Sequence, residues 1–342
     1  MAAPQSGGKD TSVNPSLKSK LVWSVLVAII ILIPLVAGSY VISVMCFIAV
    51  FGGLAVGMGL LLEQAGLFSL AHPTWFGLGA YVSGIMAVRG IAPPWLGSLI
   101  GAVFVGLVSY IVGAPLLRLR GYYLACATFG LLLIVEIILA QLGSLTGGHE
   151  GLMGIPPLSL GGFVFETDVH YYYLSWVLCL ATLWFLYNLM GSRVGRAIKA
   201  FSDSEVAAKS MGINVPGYKL KVFIMTAVMA SLTGSVYTFY LRFTQPGIFG
   251  FPLLVELVTM IIIGGGKTIY GPLLGAFVVM WMRELIHMYL GGLLPSMTAD
   301  VDAIFFGVLI IVILIFMPGG LAGWVGRLFG ERRKVLGEAF RG

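Results

Sequence analysis

The sequence predicts an all-α membrane protein, and three observations carry that prediction. Hydrophobic residues make up 59% of the chain and charged residues only 10%, against roughly 25% charged in an ordinary soluble domain. Mean hydropathy is +1.00. The apolar residues also gather into runs close to the ~20 residues a helix needs to cross the hydrocarbon layer, where backbone groups can bond only one another.

Such runs lie at residues 21–37, 40–62, 70–88, 95–117, 121–142, 171–190, 222–241, 252–265, 271–290 and 304–316, which predicts about ten crossings. The eighth run is short, and the third and eighth contain Pro and Gly, so broken or short helices are expected there. Residues 1–20, rich in Ser, Gly and Lys, read as a disordered tail. Lys18 and Lys20 before the first run resemble the charged flank of a signal peptide. No small-residue cleavage pattern ends that run, however, and a retained helix is expected.

Along the chain, Gly53/Gly57, Gly97/Gly101 and Gly271/Gly275 have the spacing that lets two helices approach closely. Glu63, at the edge of the second run, is expected to snorkel to the interface. His72 precedes Pro73 at an expected helix break; a hydrogen bond to freed carbonyls or a gate position suits it. With four His in the chain and no partners at ligand spacing, no metal site is expected. Each intramembrane ion costs about 2.5–3.5 kcal/mol on insertion scales and needs a reason to persist. Glu136, deep in the fifth run, either lines a wet path where it could hold a passing ammonium group or is satisfied structurally. Glu256, near the outer end of the eighth, has the same two readings. Arg283, Glu284 and His287 read as a surface ion cluster on the ninth. Residues 143–170 are rich in Gly and Pro and bear Glu150, Glu166 and Asp168. So long a connection is expected to be a docking surface or outer gate, with a plain surface loop as the alternative.

Residues 191–221 form the longest polar, helix-compatible insert. Val194, Ala197, Ile198 and Phe201 fall at helical spacing, flanked by Arg193, Arg196 and Lys199. Ser202 and Glu205 match a capping box, and Gly212 suits a left-handed stop. Two short helices are therefore expected, the second over about 203–211, with Ala207, Ala208 and Met211 on one small-sided face. Such a helix along the membrane fits a cleft on a soluble partner, although a solvated helical loop would read the same.

Counting crossings with the amino terminus inside puts 17 of the 20 Lys and Arg on the inner side. Arg89 and Arg242 fall outside, and Arg283 lies within a helix, so both termini are expected to be cytoplasmic. These cations answer to orientation and anionic lipid better than to nucleic acid. Cys46, Cys126 and Cys179 sit in apolar runs without Cys-x-x-Cys spacing and are expected to pack rather than bridge. The Gly264 to Thr268 string lacks the earlier glycine of a phosphate loop, since Ile261 stands there, and reads as a turn with Lys267 toward the headgroups.

The stretch GRAIKAFSDSEVAAKSMGINVPGYKLKVF resembles the cytoplasmic coupling segment of permease subunits of branched-chain amino-acid ABC importers. GLFSLAHPTWFGLGAY (66–81), LRLRGYYLACATFG (117–130), LTGGHEGLMGIP (145–156), IIGGGKTIYGPLLGAF (262–277) and FMPGGLAGW (316–324) agree in order, together covering most of residues 60–324. Two departures stand out. Ser69, Leu70, Ala71, His72 and Pro73 replace the family's usual Ser-Leu-Gly-His-Ala. The Glu205 to Gly212 interval is one residue longer than in sugar-type importers, which favours the amino-acid and amide branch.

The resemblance implies a permease domain over 21–326 and a cytoplasmic tail over 327–342, in a bacterial inner membrane. It implies two cytoplasmic ATPase subunits, a second related permease and a periplasmic or extracellular binding protein as partners. ATPase coupling would fall to Arg196, Ser202, Asp203, Glu205, Ala207, Ala208, Met211 and Gly212. The chain would have no cofactor and no enzymatic activity of its own. A urea or short-amide importer of the same build is the alternative within the class. Outside it stand an ion-gradient-driven transporter, for which Glu136 is thin support, and a channel, for which no filter is visible.

Overall fold

The computed structural model describes residues 30–34, 37–160, 162–266 and 268–290, together with 307, 320 and 321. Helices and turns follow one another, and nearly every long helix is apolar on all sides, as expected of helices between lipid and other helices. Helix α1 (Ser39–Gly59) runs into a π-turn at Leu60–Gln64, where the amide of Ala65 reaches back to the Leu60 carbonyl. Widened turns of this kind interrupt a helix where it must bend or end. Helix α2 (His72–Val88) starts with Pro73 in its first turn. A proline there gives up an amide that would be unpaired in any case. The expected break is thus a helix start, and the third run begins two residues late.

Helices α3 (Pro94–Leu116), α4 (Tyr122–Gln141) and a single turn α5 (Gly143–Thr146) come next. Then follow α6 (Asp168–Gly191), the short α7 (Arg193–Asp203) and α8 (Glu205–Ser210), and α9 (Val215–Leu241). A 3-10 turn at Pro246–Phe249 leads into α10 (Phe251–Gly264), and α11 spans Gly271–Leu290. Six helical stretches among the described residues are long and apolar enough to span a membrane: Ser39–Gln64, Pro94–Leu116, Tyr122–Gln141, Asp168–Gly191, Val215–Leu241 and Pro246–Gly264. Helix α2 has 17 residues, about 26 Å of rise against roughly 30 Å of hydrocarbon. The first run is described only over 30–34 and at Ala37, and the tenth, at 304–316, lies outside the described residues apart from Gly307, as do both tails.

Helices α1 and α9 form the centre. Helix α1 packs on α6, α9, α10 and α11, while α9 packs on α2 and α3; α4 touches the rest mainly through α2 and the 246–249 turn. With lipid as apolar as Leu, close backbone approach rather than burial holds such contacts. A Cβ added at Gly79 would strike Ser231, at Gly234 the Phe76 carbonyl, and at Gly275 the Met260 carbonyl. The three Gly-x-x-x-Gly pairs do fall at helix contacts: Gly53 faces Cys179, Gly57 faces His72, Gly97 and Gly101 face Ser83 and Gly79, and Gly271 and Gly275 face the end of α10. Cys46 and Cys179 are buried, and Cys46 shares a 3.3 Å hydrogen bond with Ser175. Cys126 departs from expectation, being exposed on the outer side of α4.

The 143–170 connection is tied down rather than loose. Residues Leu152–Met153 pair antiparallel with Phe243–Thr244, and Ser159–Leu160 with Phe163–Val164. The amide of Leu158 donates to the Tyr171 hydroxyl at 3.0 Å. Gly151, at φ +84°, passes against Thr244, a position no side chain could share.

Candidate functional site

The polar insert folds as two short helices fastened to the end of the bundle. The Ser192 hydroxyl accepts from the Val194 amide at 3.1 Å and so caps α7. Ala197, Ile198 and Phe201 turn into the core while Arg193, Arg196 and Lys199 stay in solvent, as the helical spacing predicts. The next start differs from expectation. Ser202 belongs to the last turn of α7 and lies against Gly66; Ser204 caps α8, its hydroxyl accepting from the Ala207 amide at 3.3 Å. The capping box at Ser202 and Glu205 is therefore replaced by a simple cap two residues later, at Ser204. Asp203 is exposed at the junction.

The expected small face is also redrawn. Ala208 is 1% exposed and packs inward, whereas Val206 is 75% and Met211 79% exposed. The outward surface of α8 thus comprises Val206, Ala207, Ser210 and Met211, because residues three and four apart share a side. Gly212, at φ +78°, ends the helix as expected: its amide donates to Lys209 O at 3.0 Å and that of Ile213 to Ala208 O at 3.1 Å. That pair of bonds is the Schellman arrangement.

Glu205 locks this elbow to two other elements. Its carboxylate forms an ion pair with Lys219, in the first turns of α9, and lies 4.0 Å from Arg120 beyond the end of α3. Burial pushes the Glu205 carboxyl up, but the hydrogen bond and charge of Lys219, helped by Arg120 and Lys209, outweigh it and hold the group below its ordinary value. The Lys219 ammonium also sits 6.0 Å from the centre of the Phe201 ring. Nothing in the sequence joins residues 120, 205 and 219; they meet only because α7 and α8 fold back beneath α3 and α9.

At the opposite end, Glu256 of α10 and Arg283 of α11 pair at 3.2 Å, with the Glu256 side chain 14% exposed. Arg283 therefore reaches a neighbouring helix. It also lines a pocket of about 330 Å³ with Glu284 and the apolar Val44, Phe47, Phe51, Tyr237 and Met280. The structural reading of Glu256 as a carboxylate met by a cation is what the geometry favours. Glu136 is half-buried on α4, its carboxylate against Gly250 just before α10. His72 is 1% exposed, and neither ring nitrogen meets a hydrogen-bond partner; the ring packs on Gly57 of α1. The expected bond to freed carbonyls is absent because Pro73 opens the helix and frees none beside it. His72, Glu136 and Glu256 thus belong to three separate helix contacts. The side chain of His287 and all of Lys267 lie outside the described residues.

A family profile described as branched-chain amino acid transport system / permease component matches residues 40–314. The chain is similar to the high-affinity branched-chain amino acid transport system permease protein LivM of Escherichia coli (strain K12), 23% identical over 329 residues, covering 90% of this chain and 75% of that protein. LivM of Salmonella typhimurium is 24% identical over 331 residues, with the same shares covered. Similarity extends to LivH of Salmonella typhimurium, 25% identical over 292 residues, 79% of this chain and 90% of that protein. No solved structure matches. With most of its length matched, from α1 past α11, the chain belongs to the family of permease components of branched-chain amino acid transport systems.

Proposed function

We propose that this chain is the membrane-spanning permease subunit of an ATP-driven importer for branched-chain amino acids, lining half of a translocation path. The observation that carries this reading is the outward surface of α8. Val206 and Met211 are two large apolar side chains in water on a helix braced by the Glu205–Lys219 pair. An apolar, rigidly held surface at the end of a bundle is suited to receive a soluble partner and pass on its motion. That partner would be one of two cytoplasmic ATPases, with residues 191–221 as the coupling segment. Arg196, Asp203 and Gly212 frame the surface, while Ser202 and Ala208 act from behind it.

In this reading the permease spans 21–326 with ten crossings, in a bacterial inner membrane, with tails 1–20 and 327–342 in the cytoplasm. A second, related permease completes the path, and a binding protein delivers the substrate near the 143–170 segment. The pocket beside Arg283 supports an amino acid over urea or a short amide. Its aromatic and aliphatic wall suits a branched side chain, and the charges of Arg283 and Glu284 suit a zwitterion, which a neutral amide would leave unanswered. An ion-gradient transporter would instead use its own acids, and Glu136 against Gly250 offers no paired acid for a relay.

Reconstituted with its ATPases, partner permease and binding protein, the chain should import leucine only when ATP is supplied; alone in liposomes it should import none. Gradient-driven uptake by the chain alone would reject the assignment.

A further inference from the structure

Between the end of α3 and the start of α9 lies a second cleft, of about 360 Å³. Arg118, Arg120, Lys209 and Lys219 line it, with Glu205 as the one carboxylate among its walls. Four cations against one carboxylate leave a formal charge of +3. Glu205 is already committed to Lys219 and, at 4.0 Å, to Arg120. Among the described residues, neither Arg118 nor Lys209 forms an ion pair.

Like charges gathered in a concave, partly apolar space repel one another and raise the local concentration of anions. The first turn of α9 adds to this, since Val215, Pro216 and Gly217 also border the cleft and a helix start carries partial positive charge. The depth of the cleft narrows the ligand. Both α3 and α9 are long enough to cross a membrane, and the cleft sits where one ends and the other begins. Leu117, Val215 and Leu220 supply an apolar side to the same space. Tyr122 and Tyr123, exposed at the start of α4, are the residue type that settles at headgroup level.

We propose that this cleft is a binding site for one phosphate-bearing anion, the headgroup of an acidic phospholipid. The phosphoryl oxygens take Arg118, Arg120 and Lys209, and the glycerol and first acyl carbons lie along the apolar side. Because Arg120 also faces Glu205, the headgroup draws on the same charge that braces α8. Lipid composition thereby acts on the segment bearing Val206 and Met211. The site does not depend on which solute the permease moves.

The test uses the full chain in nanodiscs of phosphatidylcholine, with or without phosphatidylglycerol, and reads acetylation of Lys209 by mass spectrometry. Phosphatidylglycerol should slow Lys209 acetylation several-fold relative to phosphatidylcholine, while the solvent-facing Lys199 changes little. Millimolar inorganic phosphate added to phosphatidylcholine discs separates the sources: no protection there assigns the site to lipid, and equal protection assigns it to free phosphate. Native mass spectrometry of R118Q/R120Q, two exposed positions, should find one fewer retained phosphatidylglycerol than in the unaltered chain. Equal Lys209 labelling in all three conditions overturns the proposal without recourse to any variant, as does an undiminished lipid count in R118Q/R120Q.

Discussion

Glu205 shows how one carboxylate can hold three segments in place. Its folded value lies below the ordinary 4.5, so the sign of the linkage is fixed. Its stabilisation is present in full above about pH 4.5 and is lost as the pH falls through the lower folded value. Thermal unfolding in detergent between pH 3 and 6 should reveal that loss, and Lys219→Met should flatten it. The same substitution at neutral pH should cost about 1.5–3 kcal/mol, the worth of a hydrogen bond to a charged group. The cap of α8 offers a sharper discrimination. Ser204→Ala should destabilise the short helix by about 1 kcal/mol and speed amide exchange over 205–211, whereas Ser202→Ala should leave that exchange unchanged. The reverse ranking would restore the capping box that the sequence suggests.

The short helices α7 and α8 divide their surfaces between two duties. Ile198, Phe201 and Ala208 bind them to the bundle, and Val206 and Met211 are left outside. Val206→Glu with Met211→Glu should therefore leave the bundle intact and release the proposed ATPase partner from membranes, checked by co-purification. Retention of the ATPase with undiminished uptake would remove the docking role. Ala208→Leu should act differently, overpacking the inner side at a cost of about 1–3 kcal/mol. In the pocket beside Arg283 both charged groups, Arg283 and Glu284, come from α11, and Glu256 of α10 acts through its pair with Arg283. Glu256→Gln and Arg283→Gln should each reduce uptake, and the double variant should lose less than the sum. A pair in direct contact couples by about 0.5–3 kcal/mol, and strict additivity in uptake would show that the two act apart.

Across the whole bundle, glycine rather than large side chains decides how closely helices approach. Helix α10 meets α11 with Gly275 against the Met260 carbonyl, and α2 meets α9 with Gly79 against Ser231. Gly275→Ala should push α11 off α10, breaking the geometry that brings Arg283 to Glu256; a severe drop in thermal stability or membrane yield would register it. The central positions of α1 and α9 also give the molecule its asymmetry, since α4 stands at the edge with much of its apolar surface uncovered. Such a surface is at home in lipid or against another membrane subunit.

By itself the sequence determined the membrane class, the long helices from α1 to α11 to within a few residues, the amphipathic stripe of α7 and the left-handed stop at Gly212. Each rests on a local rule: run length, helical period, or the backbone freedom of one residue type. Helix α9 starts at Val215, seven residues before its apolar run, because a helix can extend past the lipid on a polar surface, which hydropathy alone does not register. What only the tertiary structure decided are meetings between distant segments: Glu205 with Lys219 and Arg120, Glu256 with Arg283, Ala208 inward and Met211 outward. Periodicity gives the relative angle of side chains around a helix but not which side meets a neighbour, and in a chain that is apolar on every side that choice falls to packing.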